Sequence, residues 1–259
     1  MSMKVTVCQL DNRNGALDPM LEGLKRHVRE QQSDLLLLPE MCFSEWLAAD
    51  PQSDALRWRQ AVMEHGRYIE RLGRLGVDAV VGTRPLVREQ GSFRNQAYLW
   101  TREAGAHGVH EKYYLPDEAS YWEQTWYDRG EPRFEICRAL DVRMGVLICT
   151  EVWFLEWARS YAAARAELLC VPRATPHASV RKWLAGGQTA AVCSGAFCLS
   201  SNLWNPPGSK ADCGGLGWIV SPEGDILAET REEEPFVTRE IDLDFARMSK
   251  QTYPRYVSE

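Results

Sequence analysis

The chain has 259 residues, 45% hydrophobic and 25% charged, with a net charge of −6 and both signs interspersed. That length and balance suit one soluble domain with a sizeable core. They exclude the basic block that phosphate-backbone recognition needs, so no nucleic-acid partner is expected. No apolar run approaches the roughly 20 residues that span a bilayer, so no membrane role is expected either. Met1–Leu10 lacks the charged, apolar, small-residue order of a secretion signal. The expectation is therefore a cytoplasmic protein whose eight cysteines stay reduced. They show no CxxC spacing, and His107 and His110 read as polar positions on a strand face. No metal or cofactor is expected.

In chain order, Lys4–Leu10 reads as a strand and Pro19–Gln31 as an amphipathic helix. Asp34–Leu38 is a short buried strand ending at Pro39. A long helix is predicted from about Ser53 to Leu75, capped by Ser53 or Asp54. Val77–Gly82, Gln96–Thr101 and Gly108–Tyr113 read as strands. Val142–Ile148 is a strand leading into Cys149. A helix follows at Glu156–Ala166, a buried strand at Glu167–Val171, and a helix at Ser179–Cys193 that Gly186–Gly187 should weaken. Four further strands are predicted at Ala196–Asn202, Leu216–Val220, Ile226–Glu229 and Val237–Ile241. The tail, about 245–259, has no clear core pattern and suits a subunit interface. With no repeat or linker, one domain over 1–259 is the simplest reading, α/β with a mixed sheet or two sheets.

Three polar side chains end strand-like stretches, two of them buried. Glu40 closes the run Leu35–Leu38 and Pro39, at the carboxyl edge where open α/β sheets bind ligands. Lys112 lies at the end of another strand-like stretch. Cys149 follows Val146-Leu147-Ile148, with a helix close behind, and such an elbow exposes a nucleophile on a rigid support. A nearby cation and helix start would favour the thiolate. Each of these residues alone also fits a plain structural role.

Taken together, Leu38-Pro39-Glu40, then Glu111-Lys112 with Leu115-Pro116, then Cys149-Thr150-Glu151 with Phe154 resemble the nitrilase superfamily of carbon–nitrogen hydrolases. The spacings of 72 and 37 residues between Glu40, Lys112 and Cys149 fit it as well. The stretch Tyr121–Gly130 is similar to the carbamoyl-amide branch and matches Glu123 to a second glutamate, with Glu118 as its rival.

The resemblance implies a four-layer α-β-β-α sandwich and a Glu-Lys-Cys triad. Glu40 would be general base, Cys149 the nucleophile forming a thioester-type intermediate, and Lys112 with the Thr150 N–H the oxyanion stabilisers. Glu123 would orient Lys112 and the substrate nitrogen. It also implies a small-molecule amide-type substrate, no cofactor, and a homodimer or larger homo-oligomer.

The match departs from the family around the substrate. Trp46 stands for the usual aromatic after Leu-Pro-Glu, Tyr114 replaces a common histidine, and Thr150 replaces an aromatic. Arg173 follows Pro172 and is placed to reach a substrate carboxylate by a bidentate contact. Trp122, Trp126 and Trp153 are candidates to line an apolar pocket. An amidase or N-carbamoyl amide hydrolase is the first reading and a nitrilase the second. A catalytically weak binding protein of this fold and a redox-sensing thiol protein are the readings from other classes.

Overall fold

The computed structural model describes residues 1–89 and 91–257. Its elements run β1 (Ser2–Leu10), α1 (Leu17–Gln31), β2 (Leu35–Leu37), α2 (Ala55–Ile69), β3 (Ala79–Val87), β4 (Phe93–Thr101) and β5 (Gly105–Glu111). Next come β6 (Asp117–Glu118), β7 (Tyr121–Trp122), α3 (Glu123–Trp126), β8 (Cys137–Ala139), β9 (Val142–Val146), α4 (Leu155–Ala163), β10 (Leu168–Arg173) and α5 (Val180–Ser194). The chain continues through β11 (Phe197–Leu203), β12 (Trp218–Val220), β13 (Ile226–Glu229), β14 (Phe236–Asp242) and α6 (Leu243–Ser249).

Two six-stranded halves are built alike. One runs β5-β4-β3-β2-β1-β14, the other β8-β9-β10-β11-β12-β13. In each, three parallel strands sit in the middle and antiparallel strands flank them. The halves join where β1 changes partner. Ser2 to Cys8 pair with β14, whereas Gln9 and Leu10 pair with Asn202 and Leu203 of β11.

Side-chain alternation then sorts the layers. Val5, Val7, Leu35 and Leu37 of the first half meet Met144, Val146, Leu168, Cys170 and Leu199 of the second in one core. The opposite face of the first half packs Leu36, Val80 and Tyr98 under α1 and α2, through Leu24, Val28 and Trp58. The opposite face of the second packs Leu169, Val171 and Cys198 under α4 and α5, through Tyr161, Leu184 and Ala191. The result is the α-β-β-α sandwich. It explains the unbroken Leu35–Leu38 run, since a parallel strand buried on both faces has no polar side.

The predicted helix at 53–75 stops earlier. Asp54 caps it by accepting from the Leu56 and Arg57 N–H groups, and α2 ends at Ile69 before a short 3-10 turn at Leu72–Arg74. Gly186–Gly187 lies inside α5 for a packing reason. A Cβ on Gly186 would lie 2.8 Å from the Trp153 ring, and one on Gly187 would lie 2.7 Å from that of Trp218. The tail is corrected as well. Leu243, Ala246 and Ser249 of α6 are buried, Lys250 donates to the Ser194 and Gly195 carbonyls at the end of α5, and Arg255 donates to the Ser249 and Val192 carbonyls. Helix α6, Lys250 and Arg255 are thus tied to their own chain, whereas Tyr253 and Tyr256 stay exposed, and residues 258–259 lie outside the described residues. No helix among the described residues is long and apolar enough to cross a membrane.

Candidate active site

Glu40 is fixed by the chain on both sides of it. The Leu38 N–H donates to the Val81 carbonyl, the Glu40 N–H to that of Arg173, and the Met41 N–H to Thr83 Oγ1 at 2.7 Å. Lys112 continues β5. Its N–H donates to the Asn95 carbonyl at 2.9 Å and its carbonyl accepts from the Gly130 N–H at 2.9 Å. Only glycine allows that approach, because a Cβ at 130 would stand 2.5 Å from the Glu111 carbonyl oxygen. Glu123 opens the single-turn helix α3. Cys149 opens a 3-10 turn, Cys149–Trp153, three residues after the end of β9, with a left-handed φ of 50°. A non-glycine residue held there is strained, and such strain concentrates at functional sites.

These segments bring Lys112 between two carboxylates. Its Nζ lies 2.8 Å from Glu40 Oε1 and 2.6 Å from Glu123 Oε2. Asn95 Nδ2 donates to the same Glu40 oxygen at 2.7 Å, and the Tyr127 hydroxyl donates to Glu123 Oε2. Glu40, Lys112 and Glu123 are all buried. Glu40 Oε2 is also buried, yet it has no hydrogen-bond partner among the described residues. An orphaned acceptor of this kind costs about 1–3 kcal/mol unless something fills it. Cys149 keeps 3% exposure, and its Sγ lies 3.9 Å from the Ala174 carbonyl.

The electrostatics follow from this packing. Burial would lower the Lys112 pKa, but Glu123 and Glu40 outweigh it and hold the ammonium charged. Burial pushes Glu123 up to about 7, with Lys112 opposing and Glu40 assisting. Burial and then Glu40 push the Cys149 thiol well above its ordinary range, against the pull of Lys112. The resting group is therefore a thiol. The expected bias toward thiolate is reversed by dehydration and by the carboxylates.

Of the two rival glutamates, Glu118 is exposed in β6 and Glu123 is the one bonded to Lys112. Thr150 directly follows Cys149 within the same 3-10 turn. Trp46 is buried against Tyr121, with Nε1 donating to the Ser120 carbonyl at 3.0 Å. Trp122 packs half-buried beside that same core, and Trp126 is buried with Nε1 on the Asp50 carbonyl. Tyr114 stacks on Phe154 with ring centroids 3.4 Å apart and accepts from Trp157 Nε1, so its contacts are those of packing. Trp153 is 38% exposed against Trp183 of α5.

Arg173 requires a correction. It is buried, donates to Ser200 Oγ, Thr175 Oγ1 and the Leu216 carbonyl, and lies 3.9 Å from the Trp218 ring. Burial draws its pKa down to about 9, with Cys149, Cys198, Cys213 and Glu40 pulling it back. A guanidinium so engaged holds β10 to β11 and has no free fork for a ligand carboxylate.

Asn95 and Tyr127 escaped the sequence reading, and His110 and Glu151 were named there without a role at this site. Tyr127 had a local signal, four residues beyond Glu123 on the same turn. Glu151 stood inside the Cys149 motif with no role assigned to it. Asn95 and His110 had no local signal, because strand register places them.

A carbon-nitrogen hydrolase family model matches residues 4–251. The chain belongs to the carbon-nitrogen hydrolase family. Among its relatives is N-carbamoylputrescine amidase of Arabidopsis thaliana, 26% identical over 161 residues, covering 56% of this chain and 54% of that protein. Another is glutamine-dependent NAD(+) synthetase of Xanthomonas campestris, 28% identical over 187 residues, covering 68% of this chain and 32% of that protein. Against these two carbon-nitrogen hydrolase relatives the chain spans about half and about one third of their lengths. Its fold matches a carbon-nitrogen hydrolase of Helicobacter pylori G27 with a TM-score of 0.86, at 18% identity and over 98% of this chain and 94% of that one.

Proposed function

We propose that this chain hydrolyses a non-peptide C–N bond in a small amide or N-carbamoyl compound, with Cys149 as nucleophile. The observation that carries the reading is the bare, buried Glu40 Oε2 beside a Lys112 ammonium that two carboxylates hold in place. The thiol is protonated at rest, so attack requires a base, and the Glu40 carboxylate of the cluster is suited to that role.

Cys149 Sγ attacks the carbonyl carbon as its proton passes to Glu40. The oxyanion forms against Lys112 Nζ and the Thr150 N–H, an arrangement in which one preorganised donor contributes about 3 kcal/mol. Collapse breaks the C–N bond, and the proton on Glu40 leaves with ammonia or amine. The thioester remains. Water then gives a proton to Glu40 and attacks the thioester, and the departing thiolate recovers that proton. Glu123 keeps Lys112 aimed throughout. The slight exposure of Cys149 favours a slim reacting group such as a primary amide or carbamoyl end. The carbamoyl-amidase and glutamine-dependent relatives are named for such groups.

The test is ammonia release across small amides, N-carbamoyl compounds, glutamine and nitriles, with Cys149→Ala as control. Release from one amide-type class that disappears in the control supports the reading. Release confined to nitriles selects the nitrilase alternative, and release that survives Cys149→Ala overturns the mechanism.

A further inference from the structure

The pair His110–Glu151 is fully buried and takes no part in the chemistry above. Glu151 follows Cys149 by two residues and receives three N–H donors. Oε2 accepts from the Ile148 N–H at 2.7 Å and lies 2.8 Å from His110 Nε2, and Oε1 accepts from the Tyr113 N–H at 2.8 Å. Ile148 immediately precedes the nucleophile and Tyr113 immediately follows Lys112. One carboxylate thus ties the cysteine elbow to the lysine strand.

His110 completes the tie. Its Nδ1 lies 3.0 Å from the Arg133 carbonyl, which can only accept. Its Nε2 faces a carboxylate oxygen that already accepts a second N–H. Nδ1 donates to that carbonyl and Nε2 pairs with the Glu151 carboxyl group. Burial would lower the His110 pKa, and Glu151 reverses that to a net rise. The other neighbours are Glu111 on its own strand and the Phe134 ring at 4.6 Å.

We infer that His110 and Glu151 are positioning residues that hold Cys149 at attacking distance from the carbon whose oxyanion Lys112 receives. The inference rests on the hydrolase reading for its consequence and on the hydrogen bonds alone for its geometry. The strained backbone of Cys149 needs an anchor, and Glu151 supplies it from the turn's own third residue while gripping Tyr113. Misplacement of a reacting group by about 1 Å costs on the order of a hundredfold.

The experiment compares wild type, His110→Gln and His110→Leu. Glutamine keeps one N–H for Glu151 and leucine keeps none. Two readouts are taken on folded protein: iodoacetamide labelling of Cys149, followed by peptide mass spectrometry, and kcat and KM on the best amide. The expected result is slower labelling and lower kcat in the order wild type, Gln, Leu. The leucine variant should fall at least about tenfold with KM within about twofold. A folded leucine variant that labels and turns over at wild-type rates overturns the inference, and loss of thermal stability without those changes does so as well. If leucine does not fold, glutamine carries the comparison. Labelling needs no substrate, so slowed labelling in a protein that hydrolyses nothing keeps the positioning role and sinks the hydrolase reading instead.

Discussion

Glu40 and Lys112, 72 residues apart in the chain, meet at 2.8 Å through one carboxylate oxygen and leave the other bare. Replacing Glu40 by glutamine keeps an acceptor for Lys112 and Asn95 but removes the proton acceptor. Amide hydrolysis is expected to fall by about 10²–10⁴-fold. The Cys149 thiol, pushed up by burial and by Glu40, should titrate at lower pH once that charge is gone. The pH midpoint of iodoacetamide labelling should move down while turnover collapses. A variant that loses turnover with no movement of that midpoint would separate Glu40 from the sulfur.

Lys112→Met leaves two buried carboxylates without their cation. Breaking a buried pair in this way costs about 3–5 kcal/mol. The orphaned carboxyls then have raised pKa values in the folded state, so folding binds protons. Stability of the variant should therefore fall as pH rises from 5 to 8.5 and return on acidification. Urea midpoints across that range measure it. A deficit that does not change with pH would contradict the pairing.

Two helix glycines should respond in opposite directions. Gly187→Ala drives a Cβ to 2.7 Å from the buried Trp218 ring, and about 1–3 kcal/mol of stability should be lost. Gly66 of α2 has nothing within 4 Å of such a Cβ, and Gly66→Ala should gain up to about 1 kcal/mol from helix propensity. Equal effects at the two positions would refute the packing account of α5.

Alkaline pH should be destabilising. Burial pushes Cys8 and Cys198 up to about 12, and Cys42, Cys149, Cys170 and Cys213 upward as well, from an ordinary 9.0. These are acids raised by folding. Their contribution is fully present below the unfolded pKa and is lost as pH climbs above it, by up to about 1.4 kcal/mol per pH unit for each thiol. The melting temperature should drop steeply between pH 9 and 10.5, and Cys170→Ala should make that slope shallower. A flat melting temperature across the interval would contradict the burial of the thiols.

Much of the site could be read from the sequence because its chemistry rides on strand ends. The carboxylate after Leu35–Leu38 and the cysteine after β9 are announced by local apolar runs, whereas the lysine after β5 is recognised only through its motif. Glu123 could be recognised only through the surrounding stretch Tyr121–Gly130. Partners brought in by register could not be read. Asn95 reaches Glu40 because β3 and β4 pair with Asn95 opposite Pro85, and nothing near Asn95 in the chain says so. Arg173 misled for the same reason. Its position after Pro172 suggested a ligand contact, but the alignment of β10 with β11 gives it Ser200, and Trp218 covers its face. The tail hid its core pattern because Ala246 and Ser249, two of its buried residues, are small.

The most direct measurement is intact-protein mass spectrometry of the wild type, acid-quenched during turnover of the best amide substrate, followed by peptide mapping. An acyl adduct equal to the substrate less its amine should appear, mapped to Cys149 and absent in Cys149→Ala. Hydrolysis by the wild type with no adduct at Cys149 under any quench, or an adduct mapped to another residue, would contradict the account.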